Sequence, residues 1–169
     1  MAIADREAAA SDRSAATSEI ESLITDELTG AHRRREGLAE FAREVKKAHR
    51  TGEPFTLAFV DVNGLKAIND TYGHLEGDRL LTRVAAAIRS VVRDYDLIVR
   101  YGGDEFLCGT LGLTLAEAQS RYDKVNELMA ATGGGTAAVG VVQLGQDESL
   151  QQLIERADAA MFVRKRQRG

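Results

Sequence analysis

Residues 55–61 read Phe-Thr-Leu-Ala-Phe-Val-Asp, a short and almost unbroken apolar run that closes on a carboxylate. A run of that length, rich in aromatic and branched side chains, reads as a buried strand. It therefore requires a sheet covered by other elements. The acid at its end sets a second condition. A charged side chain is expelled from an apolar interior unless it meets solvent or a cation. Taken alone, Asp61 is accounted for as a strand-end acid capping a helix that starts at Asn63.

The rest of the chain supplies the cover. Leu38, Phe41, Ala42 and Val45 share one helical face, which predicts a helix from about His32 to Arg50, ended by Gly52 and Pro54. After the strand come a short helix over Asn63 to Asp70, a turn at Thr71 to His74, and a longer helix from about Glu76 to Val92. Leu97 to Tyr101 and Glu105 to Cys108 read as two strands joined at Gly102-Gly103-Asp104, a β-hairpin. One helix is predicted from about Leu115 to Ala131, stopped by Gly133-Gly134-Gly135. Thr136 to Gln143 is another strand, and Ser149 is placed to cap a last helix over roughly residues 150–165. The order predicts an α+β fold with a central mixed, largely antiparallel sheet wrapped by helices.

Ahead of all this, Ile20, Leu23 and Ile24 recur at helical spacing and predict a helix over roughly residues 12–25, frayed before that. Such a helix is marginal in isolation and must pack on something. It either lies on its own domain or forms a stalk that pairs with a second chain or an upstream sensor. The expected organisation is an N-terminal helical extension over residues 1–25 and one domain over residues 26–169.

Composition narrows the class. With 169 residues, 44% hydrophobic and 28% charged, the chain can bury a core as one soluble domain and is not disordered. A lone cysteine, Cys108, excludes an internal disulfide and disfavours a cysteine-rich zinc site. No apolar run approaches the roughly 20 residues of a membrane span. The opening residues do not form a signal peptide, so a cytoplasmic location is expected. A net charge of −4 argues against a surface built for long nucleic acids.

Chemistry concentrates at the hairpin bend. Gly102-Gly103-Asp104-Glu105 sets two carboxylates directly after two glycines, residues that permit positive φ and a close approach of a ligand to the backbone. A plain turn explains that tetrapeptide by itself. If the Asp61 strand neighbours the hairpin, however, the acids meet, and carboxylates with a backbone carbonyl make an oxygen site suited to Mg²⁺.

Arg100-Tyr101-Gly102-Gly103-Asp104-Glu105-Phe106 resembles the signature of the GGDEF domain, the diguanylate cyclase family. Asp26-Glu27-Leu28-Thr29-Gly30 with Arg34-Arg35 is similar to the family's opening motif, and Phe59 to His74 with Gly77-Asp78 resembles its central block. Thr136 to Val141 and Ala157-Asp158 to Lys165 resemble its last strand and helix. The resemblance implies condensation of two GTP into cyclic di-GMP with release of two pyrophosphates, by a homodimer whose domains each hold one GTP. It implies Mg²⁺, with Mn²⁺ as a substitute, bound by Asp61, Asp104 and the Val62 carbonyl.

Asp104 then carries the general-base role, with Glu105 supporting the metal site or substrate. Lys66 is a point charge for phosphate, and Lys165 reaches the triphosphate. Gly102 and Gly103 let the nucleotide lie against the hairpin. Asn69 and Asp78 read guanine, because an ionised carboxylate accepts the paired N–H donors of that base and adenine lacks them. His74 stands at a substrate-contact position of the family, against the simpler reading that it packs the turn between two helices. Arg93 and Asp96 fit the family's inhibitory Arg-x-x-Asp site for cyclic di-GMP, against the simpler reading of a helix-end arginine and a turn acid. Arg34 and Arg35 are expected to hold the opening motif to the domain.

The chain departs from the family pattern at Ala31, Arg33, Asn63, Leu65 and Phe162, none of them an expected metal ligand or guanine contact. The competing readings are a catalytically inactive module acting as a cyclic di-GMP receptor or signalling scaffold, and a relaxed cyclase that also uses ATP.

Overall fold

The computed structural model describes residues 2–168. Its centre is the expected strand, β2 (Phe55–Val62), buried along its whole length. It pairs antiparallel with β4 (Glu105–Leu111) on one side and β5 (Ala137–Gln143) on the other. β3 (Leu97–Arg100) completes the hairpin with β4, and β1 (His32–Arg33) adds in parallel to β3. The order β1-β3-β4-β2-β5 is the mixed, largely antiparallel sheet of an α+β fold.

Side chains alternate across β2, and the alternation sorts the core into two layers. Ala58, Val60 and Val62 face α4 (His74–Val91), α5 (Leu115–Tyr122) and α6 (Val125–Ala131), joined by Phe106, Cys108 and Val139. Phe55, Leu57 and Phe59 face α2 (Arg34–Thr51) and α7 (Leu150–Arg168), joined by Phe41, Val45, Leu153 and Ala157. Asp61 follows in the second series, so the same period puts its side chain on the α2/α7 face. Cys108 lies wholly inside the first layer, where burial pushes its thiol up to about 12 and keeps it unreactive.

Several elements differ from the sequence expectation. His32 and Arg33 are strand, because their pairing with Val99 and Arg100 outweighs helix propensity at the end of a helix. The predicted helix over Leu115 to Ala131 is two. Lys124 N–H bonds to the Arg121 carbonyl at 3.2 Å, one residue short of the α-helical partner, and this tighter turn separates α5 from α6. Tyr122 and Val125, on either side of the break, are both buried. α5 starts in a capping box formed by Thr114 and Glu117. Ser149 caps α7 as expected, with Gln152 returning the bond to its N–H.

The N-terminal helix α1 runs from Ala2 to Ile24, about ten residues longer than predicted. Its alanine-rich sequence favours helix without tertiary support. Residues 6–23 are exposed, with Ile20 at 58% and Leu23 at 66%, so the apolar side chains of that stretch are left largely uncovered by the described residues. What fixes its end is Arg33, whose guanidinium donates to the Thr25 carbonyl at 2.9 Å and the Ser22 carbonyl at 3.1 Å. The expected anchors, Arg34 and Arg35, do other things. Arg34 lies 4.1 Å over the Tyr101 ring, and among the described residues Arg35 pairs only with the neighbouring Glu36. Arg33→Ala is expected to speed amide exchange over residues 20–26 while leaving exchange in β2 and β4 unchanged, measured by hydrogen–deuterium exchange; equal protection in both proteins would remove Arg33 as the clamp.

Candidate active site

Asp61 and Glu105 are directly opposed across β2 and β4. Two carboxylates so placed repel each other, and the sheet tolerates them only where something positive answers. Asp61 is 8% exposed, and Lys165 from α7 donates to its Oδ1 at 2.7 Å. These residues are 104 positions apart. The hairpin bend is drawn to the same place, since Val62 N–H donates to the Asp104 carbonyl at 2.8 Å. Burial first, then the charges of Asp104, Asp61 and Asp158, push the Glu105 carboxyl above its usual range, with Arg34 pulling the other way. The end of β2 is thus a concentration of negative charge with one lysine set into it.

The bend is held from outside. Arg100 donates to both carboxylate oxygens of Asp26, at 3.0 and 3.1 Å, and to the Gly103 carbonyl at 2.9 Å. Burial works to raise the Asp26 carboxyl, but hydrogen bonds from Thr29 and the Arg100 guanidinium outweigh it and hold it below the usual range. One side chain therefore ties the loop after α1 to the peptide preceding Asp104. The sequence contains both residues but no spacing that pairs them.

The expected reason for the glycines needs correction. Neither Gly102 nor Gly103 has positive φ. Gly102 is needed for space, since a Cβ there would stand 2.4 Å from Glu105 Oε2. A Cβ on Gly103 would meet nothing within 4 Å, which leaves the hairpin surface open to a ligand at that residue.

A second group forms where α3 (Leu65–Tyr72) meets α4. Asn69 packs against Gly77, where a Cβ would come within 1.8 Å of Asn69 Oδ1. That oxygen is buried and has no hydrogen-bond donor, a costly state for an amide. Asp78 follows Gly77 and is exposed, as are His74 and Lys66.

The model of the family "Diguanylate cyclase, GGDEF domain" matches residues 23–169. This chain belongs to the GGDEF family. The GGDEF chain is 38% identical over 136 residues to diguanylate cyclase DosC of Escherichia coli strain K12, covering 75% of this chain and 29% of DosC. It is 32% identical over 159 residues to the response regulator PleD of Caulobacter vibrioides, covering 86% of this chain and 35% of PleD. It thus spans about a third of the length of these relatives. Among solved structures, the coiled coil and GGDEF domain of DgcB from Caulobacter crescentus, in complex with c-di-GMP, superposes with a TM-score of 0.87 at 26% identity, covering 98% of this chain and 93% of that one. Diguanylate cyclase SiaD from Pseudomonas aeruginosa, in complex with its activator SiaC, gives 0.81 at 35% identity, over 98% and 66%.

In this GGDEF domain Arg93 and Asp96 lie apart from the acids. With Tyr95 they edge a groove of about 600 Å³ beside α2, lined by none of Asp61, Asp104 or Glu105. Arg93 N–H donates to Asp96 Oδ2 at 2.8 Å, which ties the two residues into one turn. Burial raises the Asp96 carboxyl despite that bond and the charges of Arg93 and Arg121.

Among the described residues no three His, Cys, Asp or Glu side chains form a ready metal cluster, and no helix is long and apolar enough to cross a membrane. The oxygen donors at the end of β2 still fit Mg²⁺, which takes one or two carboxylates and fills its remaining positions with phosphate and water.

Proposed function

We propose that this chain is the catalytic module of a diguanylate cyclase, which condenses two GTP into cyclic di-GMP and releases two pyrophosphates at a homodimer interface. The observation that carries the reading is the opposed pair Asp61 and Glu105, with the Asp104 peptide bonded to Val62, at the open end of the central strand. A triphosphate there needs cations, and an excess of carboxylates is where a divalent ion is drawn.

Asp61, Asp104 and the Val62 carbonyl would hold Mg²⁺, or Mn²⁺ in its place, and the bound ion supplies charge neutralisation along the triphosphate. The chain's own groups do the rest. Asp104 takes the proton from the 3′-hydroxyl as that oxygen attacks the α-phosphate of the GTP on the facing domain. The bond from that phosphorus to the β-phosphate oxygen breaks, and pyrophosphate leaves. Glu105 supports the carboxylate cluster. Lys165, already seated on Asp61, exchanges that partner for phosphate, and Lys66 adds a second positive charge. Gly103 lets the nucleotide lie along the hairpin, and Gly102 makes room for the Glu105 carboxylate beside it.

Asp78 accepts the N1–H and N2–H of guanine, and the Asn69 amide reads the same base. His74 lines the nucleotide at the start of α4. Product binds at Arg93 and Asp96 and slows the enzyme. The exposed helix α1 is the junction to an upstream sensory domain or to a second copy. GTP as substrate places the reaction in the cytoplasm.

Chromatographic analysis of products after incubation with GTP, ATP or both tests the reading. Cyclic di-GMP alone is expected, with specific activity rising with protein concentration as the dimer forms. Equal turnover of ATP alone would break the guanine assignment. No product from GTP with Mg²⁺, while the chain still binds cyclic di-GMP, would make it a receptor instead.

A further inference from the structure

Arg93, Tyr95 and Asp96 all line the groove beside α2. Tyr95 is 75% exposed, so its ring contributes almost nothing to the core. Its hydroxyl nevertheless accepts a hydrogen bond from Arg93 Nη1 at 2.9 Å, and the guanidinium carbon lies 5.6 Å from the ring centroid. Both contacts fix a long side chain that would otherwise sample many rotamers. Arg93 Nη2 and Nε take no protein acceptor among the described residues. Asp96 uses Oδ2 for the Arg93 backbone and leaves Oδ1 open.

The surroundings limit what can sit there. Glu40, Glu44 and Glu53 line the groove with Lys47. Glu40 and Glu44 on α2, and Glu53 just after it, repel phosphate, so an anionic ligand engages the groove through Arg93.

We propose that Tyr95 is both a positioning and a ligand-contact residue of this site: it holds the Arg93 guanidinium with its remaining donors open to a phosphate of a guanine dinucleotide, and offers its ring to one base. Asp96 takes the N–H edge of that base. Every group of the cluster then has a partner, and the exposed ring is covered. The assignment rests on the product-inhibition reading above and adds to it a residue between the arginine and the acid.

Calorimetric titration of cyclic di-GMP into the wild-type chain, Tyr95→Ala, Tyr95→Phe and Arg93→Ala tests it, with circular dichroism to confirm that each variant folds. Tyr95→Ala loses the stacking face and the anchor of Arg93, and its Kd is expected to rise about tenfold. Tyr95→Phe keeps the ring and loses only the hydroxyl, and should fall between the two, at about two- to threefold. The concentration of cyclic di-GMP that halves GTP turnover should move in the same order. Equal or tighter binding by Tyr95→Ala overturns the role of Tyr95. If Arg93→Ala abolishes binding and Tyr95→Ala does not change it, only the role of Tyr95 fails. Absence of binding to the wild-type chain overturns the inhibitory site and Tyr95 together.

Discussion

Asp104→Ala is expected to lower cyclic di-GMP formation from GTP by about 100-fold or more, the scale set by losing a positioned proton acceptor. The loss of a metal-binding carboxylate acts in the same direction. The fold should survive, because what the hairpin bend contributes to the sheet is the Asp104 carbonyl, which accepts from Val62, and alanine keeps it. Removing one charge from the cluster around Glu105 also relieves repulsion in the ligand-free domain. The measurement pairs initial rates at saturating GTP and Mg²⁺ with a thermal melt. A variant within tenfold of wild type would remove Asp104 from the chemistry. A rate loss accompanied by a collapsed melt would instead mean that the side chain is structural.

Gly140→Ala is the substitution expected to damage the fold most. Gly140 lies in β5 directly beneath α7, and a Cβ there would stand 2.1 Å from the Met161 nitrogen, 2.4 Å from the Ala157 carbonyl oxygen and 2.7 Å from the Ala160 carbonyl carbon. These are backbone atoms, so no side-chain rotation relieves the contact and the helix itself must lift. Overpacking of this kind costs about 3 kcal/mol or more. For a domain of this size, that corresponds to a fall in Tm of roughly 6–12 °C. α7 carries Lys165 onto Asp61, so the same displacement opens the charged end of β2. Gly103→Ala is the matched control, since a Cβ there touches nothing within 4 Å. A melt of Gly140→Ala within about 2 °C of wild type would show that α7 moves off the sheet at little cost.

These two positions differ in how much the sequence discloses. Asp104 stands in a run of glycines and acids whose composition already marks a turn with unusual charge. Gly140 sits unremarked in Ala-Ala-Val-Gly-Val-Val, and nothing local says that a helix backbone rests on it. Likewise, Arg93 and Asp96 are legible as a pair at fixed spacing, whereas the part of Tyr95 depends on where its hydroxyl ends up. Two adjacent glycines in a bend suggest positive φ, but the fold uses Gly102 for space beside Glu105 instead.

Local pattern determined the strand at Phe55 to Asp61, the hairpin at the two glycines, the helices that cover them and the acids that end up in the site, because period and turn chemistry act over neighbours in the chain. The sequence also determined family membership, through blocks whose order survives without any knowledge of contact. Contacts across the fold set the rest: Asp61 faces Glu105 and Lys165, Arg100 ties Asp26 to the bend, Arg33 grips the end of α1, and residues 115–131 break into two helices. Each of these depends on the register of strands or on a side chain reaching across the fold. Coulombic and hydrogen-bond energies depend on separation in space, a quantity the order of residues along the chain does not contain.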